Sequence, residues 1–258
     1  MAFGSSRKAE AETDGTAAVR GTRVGELRSG AGYLARMDSD AVRESIDAGD
    51  VRALQDALRQ DPTLVTALVR APDIEPTSPL TYVGMARFYG YARHQRTGEL
   101  AEVLLEAGAD KDDAKSGSPL ICAASHGDAD VVRTLLDAGA DVEPTDNPPE
   151  TALRLAAAFG YPAVVDMLVG AGARPQSIIE AAGIGDLSTY DLNEVSEFDR
   201  ACALRAASVN ERLEVIDQLL AAGTPIDAEI DGHPAIHWAE ERGRSKAVAH
   251  LETRQSGG

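Results

Sequence analysis

The sequence predicts an all-α solenoid, a row of short helix pairs stacked side by side. Two observations carry this. The stretch SPLICAASHGDADVVRTLLDAGADVEP, residues 118–144, holds two apolar stripes at helical spacing. Leu120, Ala123 and Ala124 form the first, ending at Gly127; Val131, Val132, Leu135 and Leu136 form the second, ending at Gly139. The closing segment then recurs, as LLEAGAD (104–110), LLDAGAD (135–141), LVGAGAR (168–174) and LLAAGTP (219–225), with glycines at 108, 139, 172 and 223 spaced by 31, 33 and 51. Self-similarity at such a period marks an array whose units pack only on their neighbours.

The first two spacings match the ankyrin period of roughly 33 residues. SPL followed by AA and a glycine resembles that family's T-P-L-H-x-A-A-x-x-G opening. The chain therefore resembles an ankyrin-repeat protein over about residues 39–252, which implies seven helix pairs with extended finger loops between them. A first pair, SDAVRESIDAGDVRALQDALRQDP, keeps the turn glycine Gly49 but ends in Asp61-Pro62, as a capping repeat would. Repeat two opens at Ser78-Pro79-Leu80 and runs about nine residues too long before Leu100, against the period of the array. Repeats three (118–144) and four (150–174) are regular. Repeat five matches only in its first helix, at Ile178, Ala181, Ala182 and Gly185; its second half, DLSTYDLNEVSEFD, is polar and short, which accounts for the spacing of 51. Repeat six (202–228) has Glu211 where the turn glycine belongs, so Asn210 or Glu211 is expected in a left-handed conformation. Repeat seven, HPAIHWAEERGRSKAVAHLE, stops after its second helix, as a terminal cap should. The resulting division is a mostly disordered tail at 1–37, in which only GYLARM looks able to pack, an array at 38–254 with an irregular insertion at 82–98 and a degenerate repeat at 176–198, and a tail at 255–258.

Composition fits thin helical layers. Of the residues 43% are apolar but only 4% aromatic, so small side chains dominate the core and let helices approach closely. Cys122 and Cys202, the two cysteines, both fall in first helices and form no stapled framework, which points to a reducing compartment and a cytoplasmic protein. There is no apolar run of membrane-spanning length, and the start lacks the apolar stretch of a signal peptide.

A stacked array offers a continuous surface of loop tips and first-helix edges, and such surfaces bind macromolecules. Function is therefore sought where residues do not build the stack. In repeats three and four these include Cys122, His126, Leu155 and Phe159; in repeat seven, Trp238. Trp238 is either an interface anchor or a cover for the end of the core. The formal charge of −17 concentrates in the fingers, at Asp110, Asp112 and Asp113, at Asp141, Glu143, Asp146 and Glu150, and at Asp227, Glu229 and Asp231. Such tips repel a phosphate backbone, so nucleic acid is an unfavourable partner and a basic protein surface a fitting one; acidic fingers could equally serve solubility alone. Against this acidity stands the repeat-two insertion, TYVGMARFYGYARHQRTG, with Tyr82, Phe88, Tyr89 and Tyr91 beside Arg87, Arg93, His94 and Arg96. Tyr with Arg is the mixture favoured at interfaces, and insertions map to one face of an array. The competing reading is a longer first helix whose aromatics are core.

No catalytic constellation emerges. His233 and His237 have a ligand-like gap, but Pro234 suits a first helical turn and leaves His233 in the preceding loop; the resemblance implies a structural hydrogen-bonding role for His237. ADKDDAKSG resembles a calcium loop only in charge. No phosphate loop, nucleophile elbow or paired-Cys motif is present. Hence no cofactor, metal or catalytic residue is assigned. The function expected is a non-catalytic module that binds a protein partner. The alternative is a small-molecule site or unusual enzyme on the irregular repeats, with His94, Tyr190, Asp191 and Glu194 as acid or base groups if the insertion and repeat five line one pocket.

Overall fold

The computed structural model describes residues 30–115, 117–143 and 150–256, with side chains from Ser39 onward. Helix pairs succeed one another along the chain: α1 (Gly30–Ala48) with α2 (Val51–Gln60), α3 (Pro79–Ala86) with α4 (Thr97–Glu106), α5 (Pro119–His126) with α6 (Ala129–Asp137), and α7 (Ala152–Phe159) with α8 (Pro162–Gly170). Then α9 (Ile178–Ile184) stands without a second helix, before α10 (Glu197–Val209) with α11 (Leu213–Ala221) and α12 (Ala235–Glu241) with α13 (Ser245–Ser256). Helix α1 takes in Gly30–Met37, which the sequence reading gives to the tail; the rest of that tail, and Asp146 among the finger acids, lie outside the described residues.

Local chemistry explains where the first helices begin. Ser78, Ser118, Thr151, Ser177 and Ser196 each accept a hydrogen bond from the backbone N–H three residues on, satisfying one of the helix's orphan donors. Pro79 and Pro119 follow two of these caps, where a missing N–H costs nothing. The turns then reverse through left-handed residues at Gly49, Gly127, Gly160 and Gly185, and at Glu211, whose φ is 56°. Asn210 is thereby ruled out as the left-handed residue of repeat six.

Two antiparallel hairpins interrupt the helices. The first, β1 (Val69–Ala71) and β2 (Ile74–Thr77), follows a 3₁₀ turn at Pro62–Thr66. The second, β3 (Glu229–Ile230) and β4 (His233–Pro234), turns through Asp231 and Gly232, both at positive φ. That Asp-Gly pair is the strongest two-residue hairpin signal a sequence carries.

First helices stack in order, α3 on α5, α5 on α7, α7 on α9, α9 on α10 and α10 on α12, while α2, α4, α6 and α8 form a second row. Buried apolar side chains fall into two clusters, one from Val42 to Ala173 and one from Ile178 to Leu251. Polar groups close the junction. Asn210 Nδ2 donates to the Ala157 carbonyl at 2.7 Å, Arg212 donates to the Gly183 carbonyl at 2.9 Å and to Asp166 at 2.7 Å, and Arg244 donates to the Gly160 carbonyl at 2.6 Å and to that of Val209 at 2.9 Å. The buried Glu180 adds a carboxylate that accepts from Thr151 Oγ1, Gln176 N and Ser177 Oγ. Helix α9 is short enough that α10 also packs on α7 directly. Close approach at this point requires Gly183, since a Cβ there would lie 2.5 Å from that of Ala157.

Candidate interaction surface

The repeat-two insertion folds back on repeat one more than it projects. Tyr82 lies on the buried face of α3 with no exposed surface, and its hydroxyl donates to Asp47 Oδ1 at 2.6 Å. Burial, then that hydrogen bond to a carboxylate, raises its pKa well above the usual phenol range. It is therefore core, and the expectation that it contributes contact area is corrected: helical spacing puts position 82 inward, where only the phenol oxygen needs a partner. Tyr91 is half-buried, its ring 6.4 Å from that of Tyr82, and its hydroxyl donates to Asp73 at 3.1 Å. His94 Nε2 donates to the Ile46 carbonyl at 2.7 Å, while Nδ1 accepts from Arg96 N at 3.1 Å, which fixes the neutral tautomer. Arg96 forks onto Glu99 and donates to the Gly49 carbonyl at 3.0 Å, so its charge is already paired. Arg93 is exposed.

What the insertion does project is a pair of rings. Phe88 is 58% exposed and Tyr89 40%, with ring centroids 5.4 Å apart and edge-on. Both rest on His126 at the end of α5, at 4.9 and 5.6 Å. At the same position of the next repeat stands Phe159, 38% exposed, with half-buried Leu155 one turn before it. Arg87 holds the turn in place: it donates to Gln95 at 2.8 Å and lies 3.6 Å from both Asp128 and Asp130. Burial raises the Asp128 carboxyl above its ordinary range, opposed by the Val131 N–H, Arg87 and Thr97. Phe88 and the Arg87–Asp128 link were not separable in the sequence from the rest of the aromatic run.

Beside the rings, Cys122 and His126 do not form a reactive pair. His126 Nδ1 donates to the Cys122 carbonyl at 2.8 Å and lies 3.8 Å from the thiol. Burial pushes the thiol up to about 12 and lowers His126, so both are neutral near pH 7.

The finger acids are turn formers as well as charges. Asp110, Asp113 and Asp141 each accept from the backbone N–H two residues on. Neighbouring fingers are also tied together: Asp112 Oδ1 accepts from Asp141 N at 2.8 Å, and Glu143 Oε1 from Arg174 N at 2.7 Å. Although burial opposes it, hydrogen bonds from Lys111 and the Asp141 N–H hold the Asp112 carboxyl below its usual range.

Trp238 is half-buried; Nε1 donates to the Ile230 carbonyl at 3.2 Å, and the Arg205 guanidinium lies 5.6 Å over the ring. It thus fastens the second hairpin to α12 and supports the end of the stack. His233 and His237 stack 3.9 Å apart at an interplanar angle of 21°, an arrangement whose in-plane lone pairs do not converge on one ion. Among the described residues, no group of three His, Cys, Asp or Glu side chains is placed to hold a metal, and no helix is long and apolar enough to cross a membrane. His94 packs on repeat one while Tyr190, Asp191 and Glu194 belong to repeat five, so these groups do not share a pocket.

Residues 89–179 match the family model for ankyrin repeats, in three copies. The Ankyrin repeat and KH domain-containing protein mask-1 of Caenorhabditis elegans is 32% identical over 155 residues, a match that takes in 54% of this chain and 6% of that relative. The crystal structure of the human ASB11 ankyrin repeat domain aligns over 82% of each chain at 18% identity and a TM-score of 0.44. Residues 89–179 are thus ankyrin repeats, and stacked helix pairs continue the array on both sides of them.

Proposed function

We propose that this chain is a non-catalytic cytoplasmic docking module that binds a protein partner across the ring patch of Phe88, Tyr89, His126 and Phe159, with the acidic fingers favouring a basic surface on that partner. Ankyrin repeats are generally protein–protein interaction modules. The single observation that carries the finer reading is the ring patch itself. Among the described residues, Phe88 and Tyr89 on His126, with Phe159 at the equivalent position of the next repeat, are three of the five large hydrophobic side chains left exposed, in a chain that is only 4% aromatic. Rigid aromatic rings give large contact area with little entropy to lose, the property that concentrates binding energy at a few residues. The finger acids, locked by their own hydrogen bonds, present a fixed negative field that steers a cationic partner.

The test places a photo-cross-linking residue at Phe88, at Phe159, or at the exposed Glu102 of α4, in the protein's native cells. The expected result is one protein captured from both ring positions and absent at Glu102. Substituting Phe88→Ala with Tyr89→Ala should then weaken that partner by about 30-fold, roughly 2 kcal/mol, with little change in stability. Equal capture from Glu102, or full affinity in the double variant, overturns the reading.

A further inference from the structure

Repeat five lacks the second helix that every other unit possesses, and the row of second helices is open at that point. Between α4 and α6 the ordinary groove measures about 290 Å³, and Thr134 Oγ1 reaches across it to the Gly98 carbonyl at 3.4 Å. Counting from the turn residue of each repeat, Glu214 and Gln218 of α11 hold the positions of Asp130 and Thr134 of α6. They have no preceding second helix to face. In its place lies a depression of about 560 Å³, nearly twice the ordinary groove, with Leu187, Tyr190 and Leu192 along one side and Gln218, Ala221 and Ala222 along the other. Its charge is mainly acidic: Asp186 lines it, the exposed Asp191, Glu194 and Glu214 stand next to or one helical turn from lining residues in the chain, and Arg200 is engaged by the Leu192 and Val195 carbonyls. No lysine or arginine is among the described residues that line it. The nearby Arg212 is engaged by Gly183 and Asp166.

We propose that this depression is a second docking site, distinct from the ring patch, and that its occupant is a short amphipathic helix of a partner protein with aliphatic residues on one face and basic residues flanking them. The array itself specifies the shape. The neighbouring second helices are nine residues long and present paired aliphatic side chains inward, as Val131, Val132 and Leu135 do in α6. A helix laid in register beside α11 would meet Leu192, Ala221 and Ala222 with such a face. The sign of the rim then selects basic flanks over acidic ones.

Two helix-stapled peptides of residues 128–139 serve as probes, one with the native Asp130 and Asp137 and one with D130K and D137K. Fluorescence anisotropy against the full chain should show the lysine peptide binding at least about tenfold more tightly than the acidic one, with the difference shrinking in high salt. The exposed Ala221 tolerates a larger side chain, so Ala221→Trp should fill the depression and weaken the lysine peptide by about tenfold or more. Phe88→Ala with Tyr89→Ala should leave this peptide's affinity unchanged, which separates the proposal from the ring-patch reading. Failure of both peptides to bind, insensitivity to Ala221→Trp, or loss on the ring substitutions overturns it. Sedimentation that reveals a dimer broken by Ala221→Trp would assign the depression to a second copy of the chain and likewise overturn it.

Discussion

Removing the Asn210 side chain tests whether the two core clusters are joined through polar contacts at repeat five. Asn210 is buried, and its Nδ2 donates to the Ala157 carbonyl at 2.7 Å and to the Ala206 carbonyl at 2.8 Å. Ala157 sits in the last turn of α7, where carbonyls lack an in-helix donor, so Asn210→Ala leaves that oxygen buried and unpaired. Asn210 Oδ1 has no partner in the native structure, so nothing is lost with it. Two hydrogen bonds at about 1 kcal/mol each, plus part of the penalty for the orphaned carbonyl, give a destabilisation of about 2–3 kcal/mol for repeats five to seven. Trp238 is the chain's only tryptophan and packs against Arg205 of α10, so its fluorescence reports those repeats, whereas far-UV circular dichroism reports every helix. In urea the tryptophan midpoint should fall by about 1 M and run ahead of the dichroism curve, because a linear array loses cooperativity when one interface weakens. An unchanged tryptophan midpoint, or a dichroism signal that melts first, would refute the reasoning.

Three further outcomes follow from the same contacts. Tyr82→Ala should destabilise by about 3–5 kcal/mol in thermal or urea melts, while Phe88→Ala stays within about 1 kcal/mol, because only the first empties a buried site. Among the described residues of the array, amide hydrogen exchange should be fastest over residues 186–195, where Asp186 and Asp191 cap tight turns, Arg200 holds the Leu192 and Val195 carbonyls, and no helical ladder forms. Cys122 should react with thiol reagents about a thousandfold more slowly at pH 8 than an ordinary cysteine, since its pKa rises from 9.0 to about 12 and the thiolate fraction falls by the same three decades. The rate should keep climbing as pH rises beyond 9; a plateau there would show the thiol to be normal.

Much of the architecture was legible in the sequence because it depends on local signals. Helical spacing, Ser or Thr caps, Pro at the first turn and glycine at the reversal are read within about ten residues, and the structure places helices α3, α5, α7 and α9 where those signals stand. The anomalies were legible too: Glu211 takes the left-handed turn, and DLSTYDLNEVS forms no helix. The second hairpin escaped although Asp231-Gly232 announces it, because the repeat frame took precedence over the dipeptide. The candidate surface was read less well. In a run of Tyr, Phe and Arg, composition says that something unusual is built, and the direction of each ring is set by helix phase and by partners far along the chain.

Sequence by itself determined the repeat, the boundaries of the regular units, the missing second helix of repeat five and the acidic fingers, all properties of periodicity and charge. Tertiary structure decided which aromatics are core and which are surface. Tyr82, turned inward by the phase of α3, can stay inside because Asp47, 35 residues earlier, accepts its hydroxyl; Phe88 and Tyr89 are outside because the chain leaves α3 at Arg87 and lays them on His126. It also decided how the array survives its weakest unit, through Asn210, Arg212 and Arg244 reaching carbonyls and a carboxylate 29 to 84 residues away. Local pattern cannot encode such contacts, because a side chain's burial depends on what the rest of the chain brings against it.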